Sequence, residues 1–158
     1  MVSRTLVSRL LDAADLLVAE GGKSSAFRRR AVSTAYYAVF HALAKLCADE
    51  LLGPSGRASD EYSRVYRALE HGTLKSAFVM KTGPLYQRAN LRRIGELTIQ
   101  LQTERHRADY LPPIRDVFPF GTAEQFIEQA RTVVEEIACL SAHDRRSLAT
   151  HLLFKSRP

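Results

Sequence analysis

Cysteine is scarce in this chain, with only Cys47 and Cys139 among 158 residues. A pair cannot build a disulfide framework or a zinc knuckle. Both sit in helical apolar patterns and read as reduced core thiols. Also missing is any apolar run near the roughly 20 residues a membrane span needs. Arg4 and Arg9 open the chain, but Asp12 and Asp15 interrupt the apolar pattern, which argues against a secretory signal and for a cytoplasmic setting. No strand pattern of useful length, internal repeat or low-complexity segment is present. There is no GxxxxGK loop, no GxGxxG and no HExxH. No Glu is followed three residues later by His, as a carboxylate-bridged di-iron bundle requires. These gaps weigh against metal and nucleoside-triphosphate enzymes, and no metal or cofactor is expected.

What is present is ordinary globular material, 46% hydrophobic and 25% charged, with a length that suits one domain over residues 1–158. The formal charge of +6 favours anionic partners such as nucleic acid or nucleotides.

The richest stretch is RRRAVSTAYYAVFHALAKLC, Arg28 to Cys47. Val32, Ala35, Tyr36, Val39, Leu43, Leu46 and Cys47 recur at helical spacing and draw one apolar stripe. Ala31, Ala35, Ala38 and Ala42 form a second row of methyl groups, against which a neighbouring backbone can approach closely. A helix apolar on two sides is expected at the centre of a bundle. Arg30, Thr34, Tyr37, His41 and Lys45 form its polar seam.

The rest of the chain is also expected to be helical. A first helix spans Ser3 to Glu20, with Leu6, Leu10, Ala13, Ala14 and Leu17 inward, and Gly21 and Gly22 end it. After a loop from Gly53 to Ser59, a third helix carries Tyr62, Val65, Tyr66 and Leu69 inward and is broken by Gly72. Thr73 to Met80 is a short helical piece. A fourth helix runs from Leu85 to Arg107, weakened modestly by Gly95. Pro112, Pro113 and Pro119 impose a loop, and Thr122 with Gln125 opens a last helix. A basic tail with His143, Leu148, His151 and Leu152 finishes the chain.

Two arginine–histidine groups carry candidate chemistry. In YSRVYRALEHG, spacings of three, four and seven put Arg64, Arg67 and His71 on one helix face. Arginine grips phosphate with a planar fork of donors, and histidine moves protons near neutral pH. Together they can cleave RNA without metal: the histidine takes the 2′-hydroxyl proton and an arginine stabilises the phosphate charge. The same residues equally read as a solvated face, with His71 closing the helix. In LQTERHRADYLP, Arg105 and Asp109 are four apart, as are His106 and Tyr110. These read either as a lock between helix and proline loop, or as a site in which Arg105 and His106 serve phosphate and proton while Asp109 orients one of them. Adjacent helical residues point about 100° apart, so one shared site needs a distorted helix end or two subunits. Tyr37 and His41 are one turn apart on the seam, fitting a hydrogen-bonded histidine or a small-ligand or nucleotide contact.

AVSTAYYAVFHAL resembles the Ser-x-x-Tyr-Tyr-Ala-x-Phe-His-Ala signature of HEPN-domain proteins, and VYRALEHG and LQTERHRADYLP resemble segments of a prokaryotic branch of that family. The resemblance implies an all-α up-and-down bundle of four or five helices, often a homodimer. It also implies RNA binding, with metal-independent RNase activity in many members of toxin–antitoxin, phage-defence or CRISPR systems. Other members are inactive or bind nucleotides. The alternative is therefore a non-catalytic interaction module partnering a nucleotidyltransferase or an antitoxin. Active members carry Arg followed a few residues later by His. Here the His follows Arg105 at once, and Tyr110 holds the place where that histidine is expected.

Overall fold

The computed structural model describes residues 4–114 and 117–155. Every regular element among them is helical: α1 (Leu6–Gly21), α2 (Ser25–Leu52), a 3₁₀ turn (Pro54–Gly56), α3 (Asp60–Tyr66), α4 (His71–Val79), α5 (Pro84–Gln87), α6 (Ala89–Tyr110), α7 (Thr122–Ala138) and α8 (Ala142–Leu153). The protein is all-α, and no helix among the described residues is long and apolar enough to cross a membrane.

The chain divides into two compact units. The first combines Met1–His41 with Leu97–Glu135, and the second combines Ala42–Glu96 with Glu136–Pro158. α2, α6 and α7 each contribute residues to both.

Local signals set the helix ends. Thr5 caps α1 by accepting from the Ser8 amide at 3.1 Å, and Gly22 closes it with a φ of 52°. Ser59 caps α3 through the Tyr62 amide, and Ser141 caps α8 through the Asp144 amide. The α2 stripe is buried as its spacing predicts, and its alanine row is closed off with it. The proline segment lies between α6 and α7.

Five expectations need correction. Of the two cysteines expected in the core, Cys47 is buried, whereas Cys139 is exposed just beyond the end of α7. The buried row of α1 is Val7, Leu11 and Ala14, while Leu6 stays exposed, so the inner face is turned by about one residue. That helix carries apolar residues around most of its circumference, which leaves its phase poorly marked. α3 ends at Tyr66, and Gly72 lies within the first turn of α4 rather than between helices. The fourth helix is divided at Arg88, whose extended backbone (ψ 124°) separates α5 from α6. The supposed tail from Ala142 to Leu153 is a helix, with Leu148, Ala149 and Leu152 buried.

Candidate nucleic-acid interface

The final turns of α6 carry Arg105, His106, Asp109 and Tyr110 without a break in the helix. The two candidate catalytic neighbours therefore diverge. Arg105 is 9% exposed, whereas His106 is exposed.

Arg105 lies against the aromatic pair of α2. Its guanidinium carbon is 5.3 Å from the Tyr36 ring centre and 6.0 Å from that of Tyr37. The two rings meet edge to face at 5.6 Å. A guanidinium is weakly hydrated and delocalised, so aromatic faces can replace part of its water. Its Nη1 stands 3.6 Å from Asp109, while its buried Nε has no hydrogen-bond partner among the described residues. Burial drives the Tyr36 hydroxyl pKa far up, and the opposing pull of Arg105 only partly offsets it. Tyr36 is thus held neutral, and Arg105 is tied to the core.

Asp109 also faces Arg30 of α2 at 3.9 Å. The carboxylate is shielded, its side chain 18% exposed, whereas the Arg30 side chain is 70% exposed. A pair that long on an open surface is worth little, so Arg30 can turn to another anion at small cost.

Sequence reasoning gave no role to the first two arginines of the run, and both have one. Arg29 donates to the carbonyls of Ala108 (3.3 Å), Leu111 (2.6 Å) and Pro112 (2.8 Å). The last carbonyls of a helix lack intrahelical donors, and the following prolines supply no N–H, so Arg29 satisfies them. Arg28 donates to the Phe118 carbonyl at 2.9 Å and lies 5.0 Å from the Phe120 ring centre. The unmet carbonyls before Pro112 were a readable signal; the identity of their distant donor was not.

A shallow cavity of about 380 Å³ opens here, lined by Ala26, Arg29, Arg30, Ala108, Asp109 and Tyr110. Of the lining residues Tyr110 is 68% exposed, and its ring lies 4.8 Å from that of His106. No family model, curated protein or solved structure matches this chain.

The other candidates are placed as follows. Arg64 sits in the last turn of α3, Arg67 is its C-cap, and His71 is the first residue of α4. The single helix face expected for these three does not exist, because the chain leaves the helix between Arg67 and His71. All three belong to the second unit. Tyr37 and His41 remain on the half-buried seam of α2, where burial lowers the His41 pKa. His41 also meets Phe40 edge-on at 6.0 Å. No cluster of three or more metal-ligating side chains occurs among the described residues.

Proposed function

We propose that the protein is an RNA-binding helical protein of the HEPN kind, and that single-stranded RNA occupies the cavity between the start of α2 and the end of α6. The resemblance of Ala31–Leu43 to the HEPN signature and the all-α architecture support the family reading. The observation that carries the binding reading is the exposed His106–Tyr110 ring pair beside the loosely held Arg30. Exposed aromatics next to cations suit unpaired bases and their phosphates, since any base can stack on a ring. Tyr110 and His106 take the bases, and Arg30 takes a phosphate through its paired donors.

Cleavage by Arg105 and His106 is not part of this reading. It needs both groups on one phosphate. Arg105 is engaged by Tyr36, Tyr37 and Asp109, while His106 stands on the exposed side of the same helix. Fluorescence anisotropy with a labelled single-stranded RNA in EDTA tests the reading. Tyr110→Ala is expected to weaken binding by about 5- to 150-fold, the range of one lost stacked base, Arg30→Ala is expected to weaken it through one lost phosphate contact, and the RNA is expected to remain intact. Wild-type protein that ignores RNA at low salt, or variants that bind as wild type does, would refute it. Cleavage abolished by His106→Ala would replace it with the nuclease reading.

A further inference from the structure

We propose that the second unit holds a small-molecule site for an apolar amine, in the cavity formed by α4, α5 and α8. The three helices pack against one another, and the hollow among them measures about 500 Å³. That is within the usual range for small-ligand pockets.

Its origin lies in the sequence of α4. One face of that helix carries Leu74 and Phe78, both buried. The residues that line the hollow are Gly72, Thr73, Ser76 and Ala77. Small side chains stand where a packed helix would place leucines, so the space is left unfilled. Leu85 and Pro84 of α5 add apolar wall, and the exposed side chains of Met80 and Phe154 form lips.

The polar lining fixes the ligand class. His151 Nδ1 lies 2.7 Å from the Ser147 carbonyl oxygen. A carbonyl only accepts, so Nδ1 is the donor. The Ser76 hydroxyl donates to the Gly72 carbonyl at 3.0 Å, which leaves its oxygen lone pairs. Glu70 adds a carboxylate. The Ser76 oxygen and the Glu70 carboxylate thus offer acceptors with no free hydrogen of their own. A ligand with an apolar ring and an ammonium group complements this set, and an anionic one meets Glu70. Lys155 also lines the cavity, but its long stem lets the ammonium reach water.

Phenethylamine is the probe, titrated to millimolar concentrations against the full chain by thermal shift and calorimetry. It is expected to raise Tm saturably, as a ligand selective for the folded state does. Glu70→Gln is expected to weaken it about tenfold, the scale of one charge-assisted hydrogen bond. Ala77→Phe fills the hollow and is expected to abolish the shift; Ser76→Leu fills it from the neighbouring position should the first variant fail to fold. Phenylacetate has the same ring with the opposite charge and is expected to be inert. No saturable shift with phenethylamine, an equal shift in the folded filled variant, or equal binding of phenylacetate would each overturn the proposal. RNA binding by the first unit is measured separately and does not depend on this result.

Discussion

Arg105 and His106 show how little adjacency in sequence says about role. Arg105 is held by two tyrosines and an aspartate, so Arg105→Ala removes packing and leaves Asp109, among the described residues, with a long pair to Arg30. A loss of about 2–4 kcal/mol in unfolding free energy is expected. His106→Ala, on the exposed face, is expected to change stability by no more than about 0.5 kcal/mol. Chemical denaturation of both variants checks the contrast; equal losses would remove the structural role of Arg105. The i,i+4 spacing of Arg105 and Asp109 made their pairing legible. Tyr36 was visible as part of the apolar stripe and Tyr37 as part of the polar seam, but neither spacing points to an arginine some seventy residues later in the chain. Asp49 is a second case that no motif flagged. It accepts from Lys45 (2.8 Å), Arg57 (2.7 Å) and the Tyr62 hydroxyl (2.7 Å). Burial alone would raise its pKa, but these hydrogen bonds prevail and hold it at about 2. The native state therefore favours the ionised form more than the unfolded chain does, where the pKa is about 3.9. The added stability is complete above about pH 4 and fades as pH falls toward 2. Asp49→Asn is expected to cost about 1–2 kcal/mol at neutral pH and to flatten this part of the acid limb. Denaturant melts between pH 2 and 7 would show whether the two curves converge at the acid end.

Among the elements, α2 was the most legible, because its stripe and alanine row agree on a helix buried along two sides. The α3–α4 break was the least legible. The segment between Tyr66 and His71 contains neither glycine nor proline, whereas Gly72, the obvious breaker, is absorbed into a helical turn. Tertiary packing overrode the local signal there. Gly95 has the same lesson in reverse. Propensity alone marks it as a weakness of α6, since alanine in a helix interior is better by about 1 kcal/mol. Yet a Cβ at Gly95 would come within 2.4 Å of Phe78 Cδ1, 2.8 Å of its Cγ and 3.1 Å of its Cβ, so a buried ring would have to shift from its root. The absent side chain is what lets α4 seat Phe78, itself buried, against α6. Gly95→Ala is therefore expected to destabilise by about 1–3 kcal/mol through overpacking. Gly72→Ala, with nothing within 4 Å of the added methyl, is expected to be neutral or stabilising by up to about 1 kcal/mol. Thermal melts of the two alanine variants decide the matter by their opposite signs.

Across the whole molecule 23 Lys and Arg stand against 17 Asp and Glu, and many of those cations are already engaged. Arg57, Arg93, Arg107, Arg131 and Arg145 each lie within 2.8 Å of a carboxylate, and Arg88 pairs with Asp144. Arg28 and Arg29 are turned to backbone carbonyls. Composition supported an anionic partner but could not say which cations are already engaged, because the pairs join residues up to 116 positions apart. Among the described residues, the cationic side chains that line the α2–α6 cavity are Arg29, which is turned to carbonyls, and Arg30, which holds a long pair to Asp109. This supports a local footprint over a diffuse field. If about two or three phosphates are neutralised there, the affinity for single-stranded RNA falls with salt at a log–log slope of about −1.5 to −2. A protein that binds through its entire positive charge would instead show a slope near −4. Anisotropy titrations from 25 to 300 mM KCl measure that slope. The local reading also requires that Arg30→Ala make it shallower by roughly 0.7, the value of one phosphate contact. A slope that is steep and unchanged by Arg30→Ala would place the RNA elsewhere on the protein.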